Sequence, residues 1–141
     1  MAERVKYGIR YEYKHMIGGD KIIWEKFIRR YPEWFEEVSY DVNIGEGVVL
    51  NYDWSEKDSD WAKKITQKRI DVVGYKGKNI TIIEIKKRVE LGTLGQLLGY
   101  KFLYEKENDL IGKTIFLLIT EMIGKDDNDI MNDYSIPVIV V

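Results

Sequence analysis

Asp71, Glu84 and Lys86 are the residues of this chain whose types and spacing could do chemistry. Two carboxylates held side by side can share one divalent cation, and a neighbouring amine can stabilise negative charge on a phosphate. Opposed carboxylates also repel each other, so such a pair needs a proton, a cation or the lysine to relieve the repulsion. These residues therefore indicate a divalent-metal site, provided that the fold brings them together.

The surrounding sequence predicts a β-hairpin that does so. Two apolar, β-branched runs flank the pair Gly77–Lys78, which suits a two-residue turn. Counting outward from this turn places Asp71 opposite Glu84, with Cβ atoms roughly 4.5 to 5.5 Å apart. Because side chains alternate between the two faces of a strand, Lys86 lies on the same face as Glu84.

The alternative is that the three residues are solvated on an exposed sheet face. The apolar content of both runs argues against a wet surface and favours the functional interpretation. The side of the hairpin turned away from the charges is predicted to be one apolar face formed by Ile70, Val72, Ile83 and Ile85.

Composition limits the chemistry of the site. The chain has 141 residues and no cysteine, and His15 is its single histidine. This excludes thiolate zinc sites, iron–sulfur clusters, disulfides and cysteine nucleophiles. A metal would have oxygen ligands, which favours Mg²⁺ or Mn²⁺. There is no glycine-rich nucleotide loop, so we expect no nucleotide cofactor.

Length and hydropathy predict one soluble domain spanning residues 1–141. Apolar residues make up 45% of the chain, which is ordinary for a packed globular domain. No apolar run reaches the roughly 20 residues that a membrane-spanning helix needs, and the start lacks a signal-peptide core. We therefore expect a cytoplasmic protein without a membrane partner.

Basic residues flank the hairpin, although the formal net charge is −2. Local positive charge beside a carboxylate pair is what an enzyme acting on phosphates needs. For Lys64, a solvated surface charge is an equally good interpretation. The residues predicted to bind nucleic acid are Lys64, Lys68, Arg69, Lys87 and Arg88.

Hydrophobic spacing outlines the N-terminal elements that must position the hairpin. Alternation over residues 5–13 favours a strand, although a helical stripe also fits. Asp20 is a plausible N-cap for a helix that ends near Tyr31 and buries one apolar side. Residues 38–44 alternate as a strand, with residues 48–52 as its hairpin partner.

The polar stretch 53–67 predicts a loop or a short helix. Its residues Trp54 and Trp61 could stack on bases, but anchoring the stretch to the body of the protein is the favoured role.

A further helix can run from a cap at Thr93 to Lys106. Its predicted apolar stripe consists of Leu91, Leu94, Leu98 and Phe102. Glycine is costly in a helix, so we expect the helix to lie unusually near the sheet or a substrate at Gly92, Gly95 and Gly99. Strands are predicted at 113–121 and 136–141, joined by a solvated connection around Asp126, Asp127 and Asp129.

The motifs and their order resemble the core of the PD-(D/E)XK nuclease superfamily. The stretches 69–71 (RID) and 83–86 (IEIK) match its two central motifs. Gln96 and Tyr100, which share one helix face, are similar to the Gln-x-x-x-Tyr motif of the RecB-like branch. The resemblance covers roughly residues 20–120. It implies an α/β, restriction-endonuclease-like αβββαβ core with a mixed central sheet flanked by helices, and an extra N-terminal strand or arm.

The resemblance also implies roles for single residues. Mg²⁺ or Mn²⁺ would be bound by Asp71, Glu84 and the backbone carbonyl of Ile85, and Lys86 would act on the attacking water or the transition state. Glu25 is a candidate for the first-helix acid of many members, although a surface glutamate is an equally good interpretation. The residues implied as catalytic are Asp71, Glu84, Lys86, Gln96, Tyr100 and Glu25.

The leading hypothesis is therefore a metal-dependent nuclease that hydrolyses phosphodiester bonds of DNA. Both an exonuclease and a structure-specific endonuclease fit, as does a homodimer acting on branched DNA. The alternative is a non-enzymatic DNA-binding or assembly module that retains the nuclease fold. A small phosphate-binding or scaffold protein with chance motifs is a third interpretation.

Overall fold

A mixed sheet of six strands forms the centre of the computed structural model, which describes residues 2–48 and 55–141. Four helices accompany the sheet within these ranges. In chain order the elements are β1 (Val5–Lys6), α1 (Gly18–Arg30), β2 (Glu37–Ile44), α2 (Glu56–Thr66), β3 (Lys68–Lys76), β4 (Asn79–Arg88), α3 (Leu91–Glu107), β5 (Thr114–Met122), α4 (Lys125–Asp133) and β6 (Val138–Val140).

The strands lie in the sheet in their chain order. Neighbours from β1 to β4 run antiparallel, whereas β4, β5 and β6 run parallel. Parallel neighbours need a crossover connection, and α3 and α4 provide one each. The expected order αβββαβ is present in α1, β2, β3, β4, α3 and β5, with α2 inserted after β2. None of the helices in the described ranges is long and apolar enough to cross a membrane.

Helices cover both faces of the sheet. On one face, α1 buries one apolar side, as predicted, and packs Ile23, Trp24, Phe27 and Ile28 against β2, β4 and β5. On the other face, α3 and α4 bury Leu97 and Met131. The hairpin that carries Asp71 and Glu84 thus lies in the middle of a three-layer domain.

Along β2 and β3, the side chains change the face of the sheet on which they lie. The cross-strand pair Tyr40–Val72 packs beneath α1, whereas the pair Val42–Ile70 packs on the side of α3. Residues two apart in a strand normally share a face. The change coincides with Asp41, which has a left-handed φ of 52° within β2. The prediction that Ile70 shares a face with Val72 is therefore wrong.

Several predicted elements differ in extent. The N-terminal strand is limited to Val5–Lys6, and an arm follows in which Tyr13 and Met16 are buried. The polar residues around Asp126 belong to α4 instead of a loop. Of the hairpin partner predicted at 48–52, Val48 is not in a strand and the other residues lie outside the described ranges.

Within the stretch 53–67, α2 spans Glu56–Thr66, and its Trp61 is 59% exposed, so the anchoring role is wrong for this residue. Trp54 lies outside the described ranges. Of the stripe predicted for α3, Leu94 is partly buried, whereas Leu91, Leu98 and Phe102 are exposed. The buried residues that face the sheet are instead Thr93, Leu97 and Tyr104.

The glycines of α3 do not mark a close approach to the sheet. A Cβ atom added at Gly92, Gly95 or Gly99 would meet no atom within 4 Å. The prediction of close contact with the sheet is therefore wrong, and contact with a substrate stays a prediction.

Candidate active site

The hairpin has the predicted register. Its turn begins at Gly77 with a φ of 58°, which glycine adopts without strain, and Lys76 pairs with Asn79. The ladder continues as far as the pair Val72–Ile83. Past that pair the Asp71 carboxylate takes the place of a strand carbonyl, because its Oδ2 atom accepts a hydrogen bond from the Ile85 N–H at 3.0 Å.

Glu84 is a buried carboxyl group with an incomplete set of partners. The residue is 4% exposed, and its Oε2 atom has no hydrogen-bond partner among the described residues. Lys86 lies on the same side, with its Nζ atom 3.8 Å from Glu84 Oε1. Burial and the negative charge of Asp71 raise the pKa of Glu84 to about 9, although Lys86 opposes this. In the absence of a cation, Glu84 is therefore protonated at neutral pH.

Asp20 brings another carboxylate to this pair, a neighbour that the sequence did not reveal. The N-cap of α1 is Ile17, so Asp20 lies in the first turn of the helix and is not its cap. Although Asp20 remains exposed, partial burial and the charge of Asp71 raise its pKa, while Lys86 lowers it. An acidic residue in the first turn of a helix is common because it interacts favourably with the helix dipole, so nothing in the sequence indicated that Asp20 lies near Asp71.

Glu25 points elsewhere. Its carboxylate accepts a hydrogen bond from the Tyr13 hydroxyl at 2.8 Å and lies 4.0 Å from the Arg29 guanidinium. No hydrogen bond or ion pair joins it to Asp71 or Lys86 within the part of the chain that the structure describes. Glu25 as an active-site acid therefore stays a prediction without geometric support.

The N-terminal half of α3 faces the carboxylates through Gln96 and Tyr100. Burial and the charges of Glu84 and Asp71 raise the pKa of Tyr100 to about 12, and a hydrogen bond from Gln96 lowers it. Glu90 is the N-cap of α3 and forms a capping box with Thr93, which the sequence had suggested as the cap itself. The capping box thus fixes the start of α3, the part of the helix that carries Gln96 and Tyr100.

Four of the five basic residues lie at the open end of the hairpin, the end at which Asp71 and Lys86 also lie, and Lys64 lies in the last turn of α2. Arg69 is the one among them with a described anionic partner, since its guanidinium contacts the carboxylate of Asp41. The residues predicted to bind nucleic acid, all of them exposed, are Lys64, Lys68, Arg69, Lys87 and Arg88.

The donor set fits a divalent cation held by few protein ligands. Within residues 2–48 and 55–141, no group of three or more Asp, Glu, His or Cys side chains could hold a metal ion by itself. The unpartnered oxygen of Glu84 beside Asp71 does offer a site to a cation. Mg²⁺ is usually bound by one or two carboxylates, with waters and substrate phosphates as the other ligands. Asp71 and Glu84 therefore fit Mg²⁺ or Mn²⁺, whereas the Ile85 carbonyl as a further ligand stays a prediction.

No protein-family model and no curated protein matches this sequence. Among solved structures, the chain is similar to the crystal structure of a repair endonuclease from Pyrococcus abyssi, with 14% identity and a TM-score of 0.51. This match covers 90% of the chain and 49% of that protein. The structure of the EndoMS-dsDNA2 complex is similar over 95% of the chain and 48% of that protein, with 16% identity and a TM-score of 0.51.

The chain thus spans about half the length of the two proteins that it matches. At these identities the likeness concerns the fold. It confirms the α/β class, a mixed sheet flanked by helices, and it shows that a repair endonuclease shares this architecture.

Proposed function

We propose that this chain is a metal-dependent nuclease of the PD-(D/E)XK type that hydrolyses phosphodiester bonds of DNA. The observation that carries the proposal is the unpartnered Oε2 atom of buried Glu84, next to Asp71 and with Lys86 beside it. A buried polar atom without a partner is costly and calls for an explanation. A cation shared by the two carboxylates supplies one.

Asp71, Glu84 and the Ile85 carbonyl would hold Mg²⁺ or Mn²⁺. When bound, the cation supplies a lowered pKa for the attacking water and positive charge opposite the scissile phosphate. Asp20 offers a further oxygen acceptor at the same site, on the side of α1.

The other roles follow from the protonation states of the side chains. The Lys86 side chain is 32% exposed, so its amine can reach a phosphate oxygen and stabilise negative charge that develops during hydrolysis. Tyr100 keeps its proton at neutral pH, because its pKa is about 12, and it can donate to a phosphate oxygen. Gln96 lies beside the Tyr100 hydroxyl and would orient it. This placement supports the RecB-like branch as part of the proposal.

DNA is proposed as the substrate because the exposed basic residues lie at the catalytic end of the hairpin. One protein of similar fold is a repair endonuclease, and the other was solved as a complex with dsDNA. The proposal extends to a homodimer, in which two copies would supply one active site for each strand of a duplex. Light scattering on the purified protein tests the dimer.

The test of activity uses single-stranded, duplex, nicked, branched and closed circular DNA with Mg²⁺, Mn²⁺ or EDTA. We expect cleavage with either metal and none with EDTA, weakening steeply as salt is raised. Cleavage of circular DNA distinguishes an endonuclease from an exonuclease. Lys86→Ala should abolish cleavage, whereas Lys78→Ala, an exposed lysine in the turn of the same hairpin, should not. Wild-type rates from the Lys86 variant would refute the mechanism.

One observation favours the alternative, a DNA-binding or assembly module without activity. The described residues contain no ready group of three acidic or histidine ligands, which weakens the case for tight metal binding. This alternative predicts that DNA is retained in EDTA and that no product forms with any metal.

A further inference from the structure

Asp41 is a strained residue directly beside the proposed active site. It lies in β2 between residues paired with Val72 and Ile70, so it stands opposite Asp71 across the two strands. Its φ of 52° falls in the left-handed region, which a strand residue other than glycine rarely adopts. Strain of this kind persists only where the surroundings enforce it, and it collects at functional sites.

The carboxylate of Asp41 contacts a guanidinium and an imidazole at the surface. Arg69 Nη1 donates to both of its oxygens, at 3.3 and 3.5 Å, and His15 Nε2 lies 3.5 Å from Oδ2. Asp41 itself is 9% exposed, whereas the side chains of Arg69 and His15 are 41% and 60% exposed. The buried acid thus fixes one edge of an exposed guanidinium.

The rest of the Arg69 guanidinium remains available to a ligand. Its contacts within the described ranges use the Nη1 atom alone. An arginine carries five N–H donors in a planar fork, and that fork fits the oxygens of a phosphate. A guanidinium oriented in advance loses less conformational freedom when it binds than a free one does.

A small cavity lies between Asp41 and Asp71. Its volume is about 20 Å³, enough for roughly one water molecule. Asp41 and Asp71 therefore border the same cavity. Arg69 contacts Asp41 and precedes Asp71 by two residues in β3, so a DNA strand bound at Asp71 would pass close to it. The lining residues are Lys14, His15, Met16, Asp20, Asp41 and Asp71.

We propose that Arg69, held by Asp41, forms a second phosphate-binding site for the phosphate next to the scissile one on the same DNA strand. Asp41 is a positioning residue in this site and acts through Arg69. The inference rests on the proposed function for its substrate class. It goes further by assigning a role to Asp41, a carboxylate that by its negative charge alone would repel DNA.

The test measures how tightly the protein binds a fluorescein-labelled DNA duplex of 20 base pairs, by fluorescence anisotropy. EDTA is present so that the DNA is not cleaved. We expect Arg69→Gln to weaken binding about five- to tenfold and to lower the salt slope by about one. Asp41→Asn should weaken binding by a similar factor, and combining it with Arg69→Gln should cost nothing more. Lys78→Gln, at the far end of the hairpin, serves as the control.

Asp41→Gly separates positioning from a structural role, because glycine adopts the left-handed φ without strain. We expect this variant to melt no lower than Asp41→Asn and to bind DNA as weakly. If both Asp41 variants bind as tightly as wild type, or tighter, while Arg69→Gln binds weakly, Asp41 does not position Arg69. If the wild-type protein binds DNA and Arg69→Gln binds equally well, the second site does not exist. Failure of the wild-type protein to bind any DNA would overturn the proposed function together with this inference.

Discussion

Two buried glutamates of this protein have opposite environments. Glu84 and Glu105 are 4% and 7% exposed, and both lie beside a lysine. Glu84 has an unpartnered oxygen, and burial together with Asp71 raises its pKa to about 9. For Glu105, burial would raise the pKa too, but hydrogen bonds from Lys101, Thr114 and the Gly112 N–H lower it to about 2.

The hydrogen-bond partners make the difference. Glu105 accepts from Lys101 Nζ and Thr114 Oγ1 at 2.6 Å, and from the N–H groups of Thr114 and Gly112 at 3.0 and 3.1 Å. A carboxylate with all these donors is stable as an anion and ties α3 to β5. Glu84 lacks such donors, so its anionic form needs a cation from outside. Burial alone therefore does not distinguish a structural carboxylate from one in an active site. The number of hydrogen-bond donors around the carboxylate does.

The largest effect is expected from Glu84→Gln. This variant removes a metal ligand, and we expect cleavage to fall on the order of 10³-fold, because metal catalysis contributes several kcal/mol. Stability in EDTA should change by less than about 1 kcal/mol, since the wild-type side chain is already neutral there. Single-turnover cleavage and urea unfolding measure the two quantities. A variant that unfolds easily would mean that Glu84 is a structural residue like Glu105.

The same substitution at Glu105 should have the reverse effect. Glu105→Gln leaves the Lys101 ammonium, whose side chain is 24% exposed, without its counter-charge. Breaking a buried ion pair in this way costs about 3 kcal/mol of unfolding free energy. Urea unfolding at pH 7 measures the loss, and cleavage by the folded fraction should stay near the wild-type rate.

Lys125 and Asp129 provide a matched control for that measurement. They form another pair four residues apart on a helix, but their side chains are 87% and 57% exposed. Asp129→Asn should cost no more than about 0.5 kcal/mol, because exposed pairs contribute little. Equal losses from the two variants would contradict the role assigned to Glu105.

Acid should weaken the Glu105 contacts in a defined window. The folded pKa of about 2 is below the ordinary value of 4.5, so the stabilisation is complete above pH 4.5 and is lost as pH falls toward 2. Linkage predicts a loss of about 2 kcal/mol between pH 7 and pH 3 from this group. The stability difference between wild type and Glu105→Gln should shrink by that amount. A difference independent of pH would show that Glu105 is not charged in the fold.

Local rules predicted one part of the site from sequence. The Gly77–Lys78 turn fixes the hairpin register, and spacing four apart places Gln96 and Tyr100 on one helix face. Both follow from short-range geometry, which the sequence encodes directly.

The missed residues depend on long-range packing. Asp20 reaches Asp71 only because α1 crosses the sheet, and Asp41 faces Asp71 only because β2 pairs with β3 across the long connection 45–67. No spacing rule links such positions. The buried stripe of α3 was also misassigned, since its apolar residues occupy two sides of the helix and only contact with the sheet decides which is buried.

The smallest expected effect concerns the half of α3 that faces Glu84. Gly95 is in the helix interior and a Cβ there would meet open space, so Gly95→Ala should raise the unfolding free energy by about 0.5–1 kcal/mol. Gly74→Ala is the contrasting variant, because its added Cβ atom would lie 2.5 Å from the Phe35 ring. This clash should destabilise the sheet. Urea unfolding compares the two. Slower cleavage by a stabilised Gly95→Ala protein would show that the glycine side of α3 lies against the DNA, whereas unchanged cleavage would place the substrate on the side of α3 that carries Gln96 and Tyr100.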